Sequence, residues 1–387
     1  MEPVQLAAIA AALVLVASIV SVEAGITVAL VELTLGVVAG NVLHLESQDW
    51  LAFLAAFASI VLTFLAGMEV DPAYMRRRLE ASVGIGVASF VGPFAVSAIV
   101  AYLALGWSGR ASLIAGTALS TTSLAVVYAV LVERGLTGTQ IGKLLMSATF
   151  VTDLCTALAL SAIFVKPNIW FPVFLLVSLA LIVALPRIAT WFFGRYGDRV
   201  IEPEIKLVFA CLLLLMVLAD ASNGHAVLPA FVLGLVMSRH YQEHREEQKR
   251  LRVVAFAFLT PFFFIKGGLN VSLGAVLTNL GLLAALLAAK MLPKIGFVFP
   301  LARRAAPRHA TFTTLLMSTG LTFGTISSLY GLNAGIIDET QFSLLVTVVV
   351  LSAVVPTAIA ERWFLPDVDA EKRLDRRTAG AQAEEYV

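Results

Sequence analysis

Asp153 stands in the middle of an apolar stretch, Ala148-Thr149-Phe150-Val151-Thr152-Asp153-Leu154-Cys155. A carboxylate held in hydrocarbon costs about 3 kcal/mol or more and is by default a functional residue. Burial disfavours its charge and a neighbouring cation favours it. A group poised between the two can hold a proton or a metal cation, but not both, and Thr152 adds a hydroxyl oxygen beside it. Lys290 and Lys294 are four residues apart and share a helix face. One of the two is expected to be the charge partner of the Asp153 region; Lys290 has the better depth, and Lys294 alone is equally suited to snorkel. Two clusters of small and hydroxyl residues interrupt other apolar stretches, Gly116-Thr117-Ala118-Leu119-Ser120-Thr121-Thr122-Ser123 and Met317-Ser318-Thr319-Gly320-Leu321-Thr322-Phe323-Gly324. Ser120, Thr121 and Thr122, with Ser318, Thr319 and Gly320, could free backbone carbonyls for an ion, or could simply let helices pack closely. Glu32 opens Glu32-Leu33-Thr34-Leu35-Gly36-Val37-Val38-Ala39-Gly40. Its glycine spacing suggests close packing at a dimer contact, with the acid hydrogen-bonded, and a secondary ion-handling role is the alternative.

The elements that position these residues are membrane helices. The 387 residues are 59% hydrophobic and 14% charged, with a mean hydropathy of +0.91, against about half apolar and a quarter charged in soluble chains. Thirteen spans are predicted, at approximately 4–21, 25–43, 50–68, 81–106, 110–132, 141–164, 169–190, 203–219, 224–238, 253–269, 275–300, 310–330 and 341–363. The chain is expected to be an all-α polytopic membrane protein, one transmembrane unit over 1–363 followed by a short polar tail over 364–387. That tail is too short for a regulatory nucleotide-binding domain, and Met1-Glu2-Pro3 lacks the basic start of a cleaved signal. Most of the 27 basic residues fall in the loops after odd-numbered spans, among them Arg76 to Arg78, Arg134, Arg239 to Arg252 and Arg303 to Arg308. Cytoplasmic loops retain positive charge, so the N-terminus is expected outside and the C-terminus in the cytoplasm, at the plasma membrane.

The chain also repeats itself. Gly67-Met68-Glu69-Val70-Asp71 and Gly268-Leu269-Asn270-Val271-Ser272 are 201 residues apart, Leu119-Ser120-Thr121 and Met317-Ser318-Thr319 are 198 apart, and Thr139-Gln140 and Thr340-Gln341 are 201 apart. Seven spans separate the copies, an odd number, so the halves have inverted topology. Inverted repeats are typical of secondary transporters, whose sites lie near the midplane where discontinuous helices meet. Spans 5 and 12 are the expected broken, crossed pair.

Other functions are disfavoured. A net charge of +1 gives no basic face for nucleic acid, and Cys155 and Cys211 lie in apolar runs rather than in a disulfide framework. No phosphate loop, paired metal-ligand histidines or nucleophile elbow is present, so neither an enzyme nor a cofactor is expected. Glu69, Asp71, Asp220, His44 and His225 lie near span ends, and Lys266 suits an anchor or a gate.

With these residues in place, the chain resembles the monovalent cation/proton antiporters of the second superfamily branch, which holds Kef-type and NapA-type transporters. The resemblance covers nearly all of 1–363 and is carried by Glu32-Leu33-Thr34-Leu35-Gly36, Phe64 to Asp71, Ala118-Leu119-Ser120-Thr121-Thr122, Pro229-Ala230-Phe231-Val232-Leu233-Gly234, Pro261-Phe262-Phe263-Phe264-Ile265 and the lysines of span 11. It implies a homodimer in membrane lipid, each protomer with a dimerisation domain and a six-helix core that moves as a unit. It implies exchange of Na+ or K+ for H+ in pH homeostasis, with Asp153 as the ion-binding aspartate. Thr152 and the carbonyls around Ser120, Thr121 and Thr122 would replace the ion's water shell. Thr152 stands where electrogenic relatives carry Asn or Asp, which favours one cation per proton and an electroneutral cycle, although the lysines are also found in electrogenic members. The alternatives are an organic-solute symporter of related fold, which Asp153 disfavours, and a non-transporting sensor or channel.

Overall fold

A computed structural model describes residues 2–24, 27–69, 77–163, 168–197 and 199–367. Asp71, Arg76, Lys166 and the tail beyond Asp367 lie outside the described residues, as does the Glu69 side chain. Every regular element among the described residues is helical. In chain order they are α1 (Pro3–Ala24), α2 (Val28–Val42), α3 (Asp49–Glu69), α4 (Leu79–Ile99), α5 (Gly109–Ser120), α6 (Leu124–Glu133), α7 (Gln140–Ile163), α8 (Phe171–Tyr196) and α9 (Pro203–Ala221). There follow α10 (Val227–Glu243), α11 (Arg245–Val254), α12 (Thr260–Leu269), α13 (Leu273–Thr278), α14 (Leu280–Pro293), α15 (Phe299–Ala305), α16 (Ala310–Met317), α17 (Thr322–Asn333) and α18 (Glu339–Trp363). Wider π turns fuse α11 to α12 (Ala255–Leu259) and α14 to α15 (Lys294–Val298).

Nine of the described helical stretches are long and apolar enough to cross a membrane, with α5–α6, α11–α12 and α14–α15 each acting as one. With α2, α9, α10 and the broken α16–α17 they make the thirteen traverses expected. The tenth starts earlier than its apolar run, at Arg245, and the eleventh starts at Leu280 after the separate α13. Alternation places Arg134, Arg239, Arg303 and Arg304 at one end of the molecule, the basic end.

Close backbone approach organises one group of helices. A Cβ on Gly36 would meet the Ile265 carbonyl oxygen, and one on Gly268 would meet that of Leu33, so α2 and α12 touch backbone to backbone. Gly67 against the Phe231 carbonyl and Gly234 against that of Phe64 do the same for α3 and α10. Gly268 follows Gly67 by 201 residues and Gly234 follows Gly36 by 198, so the two contacts exchange under the inverted repeat. The glycines after Glu32 therefore serve packing within the chain. This group holds α1–α3 and α8–α12; the other holds α4–α7 and α14–α18, and the two meet mainly through α3 on α6 and α2 on α18.

Candidate functional site

The fifth traverse breaks between Ser120 and Leu124. Thr121 is extended (φ −64°, ψ 151°), and the Ser123 hydroxyl caps α6 by accepting the Val126 N–H at 3.4 Å. The Ser120 and Thr121 hydroxyls donate back to the carbonyls of Thr117 and Ala118 at 3.0 and 3.1 Å. Hydroxyl residues compete for backbone groups in this way and so favour helix ends over interiors. The twelfth traverse breaks at 318–321 by the same device, Ser318 and Thr319 donating to the carbonyls of Thr314 and Leu316 at 2.7 and 2.8 Å. Gly320 lets the second break reach the first: a Cβ there would lie 2.5 Å from Lys290 Nζ and 3.0 Å from Thr121 Oγ1.

Each break exposes a helix C-terminus, with unpaired carbonyls and the negative end of a helix dipole. Two ammonium groups answer them. Lys290 Nζ donates to the carbonyls of Leu119 and Thr121, both at 3.2 Å. Lys294 Nζ donates to Ser89 Oγ (2.7 Å), Thr122 Oγ1 (2.8 Å), the Met317 carbonyl (2.9 Å) and the Thr121 carbonyl (3.2 Å). Thr122 Oγ1 in turn donates to the Met317 carbonyl at 2.8 Å, tying the two breaks directly. Both lysines are fully buried, so Lys294 does not snorkel. Lys294 opens the π turn after Pro293, which lacks the N–H that a regular helix would use.

Asp153 lies on α7 beside this crossing, 6% exposed. Its Oδ1 is buried without a hydrogen-bond partner, and among the described residues no ion pair joins it to either lysine, although Lys294 is close enough for their charges to interact. It faces a small pocket lined also by Thr63, Leu124, Phe150, Leu154, Val227, Leu228, Phe231 and Phe323. Thr63 and Phe231 come from one group of helices, Asp153, Phe150 and Phe323 from the other. Phe150 and Phe231 stack with ring centroids 4.0 Å apart, one turn from Asp153 towards the basic end. On the other side His225 stands edge-on to Phe323 at 6.0 Å.

The structure therefore brings Ser120, Thr121, Thr122, Lys290, Lys294, Ser318, Thr319 and Gly320 into one crossing and sets Asp153 next to it. Thr152 points elsewhere, its hydroxyl donating to the Gly86 and Ala148 carbonyls at 3.0 and 3.1 Å. Glu32 is not among the residues that line the pocket; it is 1% exposed, and its Oε2 is unpartnered rather than hydrogen-bonded. Sequence reasoning missed Thr63 and the phenylalanines. A lone threonine in Ile60-Val61-Leu62-Thr63-Phe64 was the available signal.

Comparison with known proteins agrees with this architecture. Residues 9–364 match the family described as sodium/hydrogen exchanger, transmembrane. The probable Na+/H+ antiporter 3 of Methanocaldococcus jannaschii is 25% identical over 336 residues, covering 83% of this chain and 86% of that one. The Na+/H+-K+ antiporter GerN of Bacillus cereus is 22% identical over 364 residues, 89% of this chain and 92% of its own. The solved structure of the sodium proton antiporter MjNhaP1 from Methanocaldococcus jannaschii at pH 8 shares the fold, with a TM-score of 0.69 at 12% identity over 95% of this chain and all of that one.

Proposed function

The chain belongs to the transmembrane sodium/hydrogen exchanger family, and from that premise we propose that it exchanges one monovalent cation, Na+ or K+, for one proton at Asp153. The observation that carries this reading is the buried Asp153 carboxylate, one oxygen unpartnered, facing a pocket between two groups of helices. A proton or a cation neutralises it; the empty, charged site is costly to carry through hydrocarbon, and that cost couples the two fluxes. Thr63 lines the same pocket; its hydroxyl donates to the Ser59 carbonyl at 2.8 Å, which leaves the oxygen's lone pairs to supplement the carboxylate around a cation. Thr121 and Thr122 act one step back, by fixing the lysines, and Ser120 by closing the end of α5. Each ammonium has carbonyl partners of its own, so neither needs to give up a proton when Asp153 changes its load. One acid then exchanges one charge for one charge, and the cycle is electroneutral.

The core is α4–α7 with α14–α18, moving against α1–α3 and α8–α12, while the exposed apolar faces of α1 (Leu15, Ile19) and α8 (Leu176, Leu179) suit a second copy or lipid. The basic end faces the cytoplasm of a plasma membrane. An organic-anion symporter would need a cationic side chain in the pocket, and among the described residues none lines it.

The test is a pH dye inside proteoliposomes, with Na+, K+ or Li+ added in turn and the membrane potential clamped or free. Cation-driven proton movement that ignores the potential is expected, and the responding ion names the substrate. Asp153→Asn is expected to abolish that movement while melting no lower than the parent, because the amide replaces an oxygen that holds no hydrogen bond. Normal exchange by the folded variant would overturn the scheme.

A further inference from the structure

The groups that line the Asp153 pocket do not all belong to one moving part. Asp153 stands on α7, in one group of helices, and Thr63 stands on α3, in the other. The Thr63 hydroxyl gives its proton to the Ser59 carbonyl at 2.8 Å, so towards the pocket its oxygen has only lone pairs to offer. Arg77 and Arg78 follow α3, which therefore runs towards the basic end. Ser59 lies one turn back on the same face, about 6 Å further from that end. A serine or threonine inside a helix commonly donates to the carbonyl four residues back, as Thr63 does. Ser59 does not: its Oγ is buried without a partner, and the residue is 6% exposed. The hydroxyl face of α3 thus leads away from the basic end. Towards the basic end the pocket is shut by Phe150 stacked on Phe231.

We propose that Thr63 is a cation ligand only while the Asp153 site faces the outer side, away from the basic end, and that Ser59 is the step by which the ion enters there. The inference rests on the exchange reading, since it needs Asp153 to be the site that moves. When α4–α7 with α14–α18 carry Asp153 towards the basic end, Thr63 stays behind on α3. The carboxylate travels and the hydroxyl does not. The same ion then has one protein oxygen more in one state than in the other. A contact made in one state alone shifts the loaded protein towards that state by the free energy it adds to binding. The cation is therefore held more tightly at the outer face than at the basic face. Thr63 determines that difference without being the charge that the ion neutralises.

Thr63→Val keeps the shape and removes the oxygen, and Thr63→Ser keeps the oxygen. Right-side-out and everted membrane vesicles present the two faces in turn, and the concentration of Na+, K+ or Li+ that gives half-maximal exchange is read at each. In Thr63→Val the ratio of the outer value to the basic-face value should rise about tenfold, the scale of one oxygen contact to a charged group. Exchange has no preferred direction at equilibrium, so the ratio of maximal inward to outward rates must rise by the same factor, which checks the measurement. Thr63→Ser should return both ratios to near wild type, and Ser59→Ala should shift them the same way by less. Equal rises at both faces, a shift in the opposite sense, or an unchanged ratio in Thr63→Val or Ser59→Ala would overturn the proposal. A wild type that moves none of the three cations would overturn the exchange reading instead. The rise in melting temperature that each cation gives the purified protein then decides the ligand. A rise lost in Thr63→Val and kept in Thr63→Ser supports it; equal rises in all three proteins, or none in the wild type, overturn it.

Discussion

A buried ammonium can recover its lost hydration from a carboxylate or from a ring of neutral acceptors, and the choice decides what remains free to react. The lysines of this chain take the second course. Lys294 makes four hydrogen bonds and Lys290 two, all to neutral oxygens: those of the two breaks and, for Lys294, the Ser89 hydroxyl of α4. Each such bond to a charged group contributes about 1.5–3 kcal/mol when buried, and a partner left unsatisfied costs a similar amount. Lys294→Met, which keeps the volume and removes the charge, should therefore destabilise by roughly 3 kcal/mol, and Lys290→Met by less. Thermal melting of the two purified variants in one detergent checks the order, and equal losses would contradict it. The sequence marked Asp153 and both lysines because charge in an apolar run is costly enough to demand a reason. It could not say that the lysines would prefer carbonyls to the aspartate, because those carbonyls become available only where two distant breaks cross. Thr63 escaped notice for a related reason: its partner across the pocket lies 90 positions further along the chain.

At the scale of the element, small residues play two roles that only their neighbours distinguish. Gly36 and Gly320 both sit against another part of the chain, but Gly36 faces a backbone carbonyl and Gly320 faces the tip of a lysine. A methyl group at Gly36 must push α12 away, since neither backbone can yield locally. Gly36→Ala should cost about 1–3 kcal/mol. At Gly320 the first atom met is Lys290 Nζ, on a chain that can swing, so Gly320→Ala should cost less stability. It displaces the ammonium from Leu119 and Thr121, however, and exchange should fall more than melting temperature does. Melting and exchange rate measured side by side on both variants test this, and a Gly320→Ala protein that is unstable but fully active per folded molecule would refute it. The breaks themselves were legible, because Ser, Thr and Gly at matching depth in spans 5 and 12 depart visibly from their surroundings. Which glycines meet which backbones was not, since α2 and α12 are more than 200 residues apart and nothing periodic links them.

At the scale of the molecule, the inverted repeat arranges thirteen traverses as two groups of helices with the Asp153 pocket between them. Its closure towards the basic end is aromatic. Phe150, beside Asp153 on α7, stacks on Phe231 of α10 at 4.0 Å. A comparable contact lies wholly within the other group, Phe57 of α3 edge-on to Phe209 of α9 at 5.2 Å. If transport requires one group to move against the other, these contacts must behave differently. The first has to separate and the second does not. With Cys155 and Cys211 replaced by serine, the pairs Phe150→Cys with Phe231→Cys and Phe57→Cys with Phe209→Cys can each be joined by a short, membrane-permeant bis-thiol reagent. Cross-linking the first pair should stop exchange, with recovery on reduction of a cleavable linker. Cross-linking the second should leave exchange close to that of the same unlinked variant. Loss in both cases would mean that α3 and α9 also shift against each other, so that the scaffold is not rigid. Retention in both would mean that Asp153 reaches the two sides of the membrane without the two groups of helices parting at this stack, and the moving-core mechanism would have to be abandoned.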